Sequence, residues 1–199
     1  DACNGRVIQA LKDEGVYDET LIVMMSDHGE LLGARGPAAF SKYNLYDPSI
    51  RVPLIVKPPK GYEGARGATS DALVSRVDLL PTLLDFAGLE GGHSLPGISL
   101  KPLFEGKSLA RQRRATLTEF LWKGSVHTAI RSRDWKLING PHGRELYHIA
   151  EDPHEFNNLA ADGRAALHGA ELEDACLEEI RLASHGYASR YTEFERQDW

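Results

Sequence analysis

The sequence predicts an α/β fold: part of a larger mixed sheet with flanking helices, then a small antiparallel sheet and a C-terminal helix. Three observations carry this reading. Val7, Ile8 and Leu11 sit at helical spacing, and the chain then passes Gly15 into the apolar run Leu21 to Met25, a helix-to-strand unit typical of α/β domains. A second apolar run, RVPLIVKPP at 51–59, is bracketed by prolines, as a strand with defined ends should be. From residue 115 onward the character changes to short β-type segments separated by turn residues.

Taken in order, the first segment is a helix stopped by Gly15 and feeding a strand over 21–25. Residues 29–42 are rich in Gly, Ala and Pro without periodicity and read as a loop, as do 60–71 with Gly61, Gly64 and Gly67. LVSRVDLLPTLLDFAGLE, at 73–90, reads as a helix with Asp78 as N-cap, Pro81 in the first turn and Gly88 as the stop. Residues 89–114 read as a loop ending in Arg111, Arg113 and Arg114. ATLTEFLW, HTAIRS, DWKLIN and RELYHIA read as a small antiparallel sheet. LEDACLEEIRLASHG reads as a closing helix with Leu172, Cys176, Leu177, Ile180 and Leu182 on its apolar side. The expected division is an α/β part at 1–114 and a small-sheet subdomain with its terminal helix at 115–199.

Bulk properties narrow the classes. At 199 residues the chain is long enough to bury a core. A formal charge of −6 argues against a generic nucleic-acid surface. No apolar run approaches membrane-spanning length. Cys3 and Cys176 match no paired spacing and are expected to be unpaired thiols; so sparse a set is compatible with a reducing cytoplasm without requiring one. The chain opens inside a helix, so the compartment, cytoplasmic or periplasmic, stays open.

The chemistry concentrates where the first strand ends, at SDHGE over 26–30. In open α/β sheets ligands bind beyond the carboxyl ends of the strands. Asp27 and His28 there are either turn-capping groups or a ligand pair for a divalent cation, and two ligands do not complete a site. Glu30 reads as supporting structure. Lys42 alone is an ordinary surface lysine; beside a metal it is a point charge suited to a tetrahedral anion. Arg51, just before a strand, is expected to pair with a carboxylate such as Asp47. Trp122, Lys123 and His127 are candidates to touch a substrate, against the plainer reading of a solvated loop. The remaining histidines show no ligand spacing.

These segments resemble, in order, the sulfatase family of the alkaline-phosphatase-like superfamily. DETLIVMMSDHGELLGARG resembles its strand-and-metal segment, and SKYNLYDPSIRVPLIVKPP the lysine-containing segment that follows. RVDLLPTLLDFAGLE resembles its Asp-x-x-Pro-Thr helix, and LPGISLKPLFEG the loop after it. RSRDWKLI and ELYHIAEDPHEFNNLA resemble the C-terminal small-sheet pattern. The resemblance implies a hydrolase of sulfate esters, on a small molecule or a glycan, using a formylglycine nucleophile and a divalent metal, Ca²⁺ first and Mn²⁺ second. It implies Asp27 and His28 as metal ligands and Lys42 as the contact to the sulfate group.

The departures are equally specific. No Cys/Ser-x-Pro/Ala-x-Arg occurs: Cys3 is followed by Asn4-Gly5-Arg6 and Cys176 by Leu177-Glu178-Glu179. The family's early Asp-Asp metal pair is also absent, so the chain is expected to correspond to the C-terminal portion and to need an N-terminal half. It should self-associate at an uncovered sheet edge. In the loop after His28, Ala34 and Arg35 replace an acid and a His, the spacing to Lys42 is longer, and His148 replaces the usual Asp after Tyr147. Two other readings remain, a phosphonate monoester or phosphodiester hydrolase of the same superfamily and a non-catalytic binding fragment.

Overall fold

The computed structural model describes residues 1–36, 41–62, 67–89, 95–122 and 124–194. Helix α1 (Ala2–Asp13) ends where expected: Gly15, at φ 70°, donates to Lys12 O and Val16 donates to Leu11 O, each at 3.0 Å. That double return bond is a Schellman stop, which needs the left-handed backbone glycine adopts without strain. The chain then enters β1 (Ile22–Met25). After the one-turn helix α2 (Asp47–Ile50), strand β2 (Leu54–Lys57) pairs antiparallel with β1, Val23 opposite Val56. Lys57 Nζ holds this unit closed by donating to the carbonyls of Tyr17, Asp18 and Thr20 at 2.5, 3.0 and 3.0 Å.

The predicted central helix is observed as α3 (Leu79–Phe86), preceded by a 3₁₀ turn at 76–78. Asp78 is its N-cap residue, as expected, but its side chain makes no cap bond to α3. Ser75 caps the 3₁₀ turn, and Asp78 closes a capping box by accepting from the Ser75 N–H at 2.7 Å. Buried at 1% exposure, Asp78 also accepts from the Ile98 N–H at 2.8 Å and from Arg113 through two nitrogens at 2.6 and 2.7 Å. Thr82 donates to Asp78 O and accepts from the Leu100 N–H. The two polar residues of the Asp-x-x-Pro-Thr motif are thus spent on fastening the 98–100 loop, which leads into the short helix α4 (Lys101–Phe104).

The small sheet forms as predicted, a meander of β3 (Thr116–Trp122), β4 (Ser125–Arg131), β5 (Trp135–Gly140) and β6 (Gly143–His148) in sequential order. Both of its faces are covered. Ile130, Leu137 and Leu146 pack against Leu172, Ala175 and Cys176 of helix α5 (Ala166–Phe194). Their chain neighbours Ala129, Ile138 and Tyr147 point the other way, onto Leu45, Tyr46 and Ile50, as strand alternation demands. The apolar side of α5 is narrower than expected. Leu177 is 64% exposed and Ile180 and Leu182 are exposed too, because the buried stripe follows 172, 175 and 176 and turns away beyond them. Cys3 and Cys176 are free thiols.

One polar cluster crosses this packing. Lys136 on β5 is fully buried, with Nζ 2.8 Å from Asp47 Oδ1 and 2.6 Å from Glu155 Oε1. Glu155 Oε2 accepts from the Asp47 N–H at 2.7 Å, and Arg131 Nε lies 3.6 Å from Asp47 Oδ2. Arg51, expected to pair with Asp47, instead lies exposed, and among the described residues only its main-chain N–H bonds Asp47, at the carbonyl oxygen; Asp47 faces the small sheet, where Lys136 and Arg131 reach it. Burial pushes the Glu155 carboxyl up, and the Lys136 ammonium opposes this. Replacing Lys136 by Met leaves the buried Glu155 carboxylate without its cation and Asp47 with Arg131 alone, so urea unfolding at neutral pH should show a loss of about 3–5 kcal/mol. A loss below about 1 kcal/mol, the range of exposed pairs, would show that the cluster does not hold the fold.

Candidate active site

Beyond Met25 the chain turns through Ser26, whose hydroxyl donates to the His28 carbonyl at 2.7 Å. The Asp27 carboxylate accepts from the His28 N–H at 2.9 Å. That bond is the main cause holding the Asp27 carboxyl below its usual range; desolvation opposes it, and the His28 and Lys42 charges add to it. Asp27 is therefore a carboxylate presented to solvent at a strand tip, the state a cation ligand needs.

The imidazole is oriented as well. His28 Nδ1 lies 2.8 Å from the Gly29 carbonyl, which can only accept. Nδ1 therefore carries the hydrogen and Nε2 the lone pair. Lys42 Nζ donates to that lone pair at 2.9 Å, and Asp27 Oδ2 lies 3.5 Å from the same nitrogen. A carboxylate oxygen and an imidazole lone pair at this separation suit one cation bound between them. They are a pair and not a full shell: among the described residues no group of three His, Cys, Asp or Glu side chains could hold a metal. Glu30, next in the turn, has a buried Oε1 with no hydrogen-bond partner among the described residues.

The turn is fixed from two sides. Gly29 N–H donates to Ser49 O at 2.8 Å, and a Cβ on Gly29 would stand 2.0 Å from Pro48 O. No other residue lets the turn lie this close to α2. From the opposite direction Arg76 Nη1 donates to the Asp27 carbonyl at 2.5 Å. Lys42 is positioned by its neighbours, since Ser41 O accepts from Asn44 Nδ2 at 2.7 Å and Asn44 Oδ1 accepts from the Tyr46 N–H at 3.0 Å. Arg35, one of the two departures in this loop, stacks 3.8 Å over the Tyr46 ring and donates to the carbonyls of His154 and Glu155. It ties the loop to the segment that follows β6. Tyr46 and Tyr147 both donate to Glu145 Oε2; burial and that carboxylate push the Tyr46 hydroxyl up to about 12.

Asp27, His28, Lys42 and Arg76 open into one cavity of about 730 Å³. Arg51, Arg131 and Arg133 also line it, as do Thr116, Thr118 and Phe120, every second residue of β3. Lysine and arginine outnumber aspartate along this wall, which favours an anionic guest. His127 is not among the lining residues: it is buried on β4, opposite Phe120 in register, with ring centroids 5.5 Å apart. Trp122 ends β3. Lys123 lies outside the described residues. Sequence reasoning missed Thr116 and Thr118, although the alternation of β3 carried the signal. It also missed Arg76, which has no local signal because its partner lies 49 residues away.

Gly29→Ala should lower stability by at least about 1–3 kcal/mol and disrupt the turn, whereas Gly5→Ala, in helix α1 with nothing near its Cβ, should stabilise by about 0.5–1 kcal/mol. Thermal unfolding of the two variants measures the contrast; a silent Gly29→Ala would mean that the close approach to α2 is not obligatory.

The architecture is of the alkaline-phosphatase-like class, and comparison with known proteins places the chain within it. Residues 37–181 match the family profile described as N-sulphoglucosamine sulphohydrolase, C-terminal. An N-acetylglucosamine-6-O-sulfatase of Bacteroides thetaiotaomicron is 39% identical over 178 residues, covering 84% of this chain and 31% of that protein. A choline-sulfatase of Rhizobium meliloti is 32% identical over 174 residues, covering 84% and 32%. Among solved structures, a protein in complex with its substrate D-glucosamine-2-N,6-O-disulfate superposes with a TM-score of 0.80 at 34% identity, covering 91% of this chain and 38% of that one. The phosphonate monoester hydrolase of Agrobacterium radiobacter superposes at 0.76 with 31% identity, covering 92% and 38%. The chain belongs to the sulfatase family and corresponds to its C-terminal region. It spans about a third of the length of the curated relatives it matches.

Proposed function

We propose that this chain forms the metal- and anion-binding part of a sulfate-ester hydrolase acting on a sulfated sugar of the glucosamine type. The observation that carries the reading is the convergence on His28 Nε2, with Lys42 Nζ at 2.9 Å and Asp27 Oδ2 at 3.5 Å, in a chain of this family. The sugar class is supported by a relative named for N-acetylglucosamine-6-O-sulfate ester cleavage and by the neighbour solved with a disulfated glucosamine. The phosphonate hydrolase neighbours support a second reading, a phosphonate monoester hydrolase.

Asp27 and His28 would contribute two ligands to a divalent cation, Ca²⁺ first and Mn²⁺ second. When bound, such an ion supplies Lewis-acid charge to the ester oxygens. His28 holds its hydrogen on Nδ1, so Nε2 is free of a proton and able to ligate. Lys42 shares that lone pair in this structure, and once displaced from it would donate to a non-bridging sulfate oxygen, offsetting the charge that gathers as the S–O ester bond breaks. Residues 1–114 would supply these groups, while Thr116 and Thr118 of the 115–199 subdomain would face the leaving alcohol. The nucleophile must come from outside this sequence, which has no formylglycine motif.

Two outcomes are expected of the chain as it stands. It should release no product from an aryl sulfate with Ca²⁺ or Mn²⁺ present. It should nonetheless bind Mn²⁺, read by electron paramagnetic resonance, with Asp27→Asn and His28→Ala each weakening binding about tenfold or more. Metal-dependent turnover, or Mn²⁺ binding indifferent to both substitutions, would overturn the proposal. Phenylphosphonate binding more tightly than inorganic sulfate would favour the phosphonate reading.

A further inference from the structure

Two arginines of the cavity bond main-chain carbonyls, Arg133 to Asp71 O and Arg76 to Asp27 O, and of the two only Arg76 reaches the 26–30 turn. Arg131, another residue of the wall, has Asp47 as a counter-ion. Arg76 has none among the described residues: its bond is to the main-chain carbonyl of Asp27, at 2.5 Å. A carbonyl takes one N–H of the five in a guanidinium fork and leaves the charge uncompensated. The base of the side chain is nevertheless rigid. It rises from the 3₁₀ turn closed by the Ser75–Asp78 capping box, and Asp78 is locked by two bonds from Arg113, which is itself buried.

We propose that Arg76 is a second anion-binding group of the site, working with Lys42. The two cations attach to the two residues of one dipeptide, Arg76 to the carbonyl of Asp27 and Lys42 to the imidazole of His28, and both line the same cavity. An oxyanion brought to Asp27 and His28 would be bracketed by an ammonium and a guanidinium. The fork supplies what Lys42 cannot, two parallel donors at a fixed spacing. This assignment rests on the sulfate-ester reading of the site. It adds a residue that holds the charged head of the substrate, and it makes a tetrahedral oxyanion the preferred occupant over a neutral ester.

The test is inorganic sulfate binding to the 199-residue chain without metal, followed by NMR chemical shifts, in the parent, Lys42→Ala, Arg76→Ala and Arg76→Lys proteins. Arg76→Ala should weaken sulfate about tenfold, the loss expected for one charge-assisted contact. Arg76→Lys should recover part of it. Mn²⁺ affinity, measured separately, should change by less than about threefold in Arg76→Ala, because Arg76 touches a carbonyl and not a ligand atom. A purely structural arginine would instead lower sulfate and Mn²⁺ binding together, and that result overturns the proposal. So does sulfate binding that falls in Lys42→Ala but is unchanged in Arg76→Ala, which leaves the sulfate-ester reading standing. If the parent and Lys42→Ala proteins both fail to bind sulfate, the sulfate-ester reading fails and the assignment of Arg76 fails with it.

Discussion

The structure turns on one buried ammonium. Lys136 lies in the middle of the small sheet with no exposure, between the carboxylates of Asp47 and Glu155. Taking an isolated charge into such a place is strongly unfavourable, so all three groups must be held where they can compensate one another. Glu155 adopts a left-handed backbone at φ 59° to do so, a conformation that costs a non-glycine residue about 1–2 kcal/mol. Because the partners come from β5, α2 and the loop after β6, the cluster fixes α2 against the sheet. The carbonyl of Pro48 on α2 is the atom that a side chain on Gly29 would strike. Two residues back from Gly29 stands Asp27. A charge cluster in one part of the chain thus sets the resting place of the 26–30 turn in another.

A second buried pair performs the same service from the other side. Arg113 and Asp78 lock the 3₁₀ turn that carries Arg76, and Arg76 reaches the carbonyl of Asp27. The site therefore sits between two scaffolds, each built on a buried ion pair. The exposed groups at its centre, Asp27 and His28, owe their orientation to hydrogen bonds with main-chain atoms. A strand tip alone would leave both side chains free to rotate, and fixed donors are what a binding site for a small anion and a cation requires.

Much of this was legible in the sequence, and the limits have physical causes. Strands β1 to β6 and helices α1, α3 and α5 follow from apolar periodicity and from glycine and proline punctuation, which are local. The 26–30 turn could be read because a continuous apolar run running into Asp27 and His28 is also local, and the resemblance to sulfatases supplies the proposed role of the pair. Long-range pairing was not readable. Arg51 and Asp47 are close in sequence, yet Asp47 belongs to Lys136, 89 residues on. Asp78 resembled an ordinary helix cap, whereas its second oxygen and Arg113 give it a tertiary role. His127 reads from the sequence as a substrate contact or a residue of a solvated loop; it is instead buried against its cross-strand partner Phe120, which lines the cavity. Leu177 reads from hydropathy as on or near the apolar face of α5, yet it lies one step off the stripe that the helix buries.

Asp27 and His28, which open into the same cavity as Lys42 and Arg76, are proposed as a cation-binding pair. Mn²⁺-induced relaxation in amide NMR spectra of the chain tests it most directly, since line broadening falls steeply with distance from the ion. The account predicts that substoichiometric Mn²⁺ broadens residues 26–30 first, with Lys42 and Arg76 next, and leaves α5 sharp. Broadening centred on another acidic stretch, such as Glu151 and Asp152, with residues 26–30 unaffected, would contradict it.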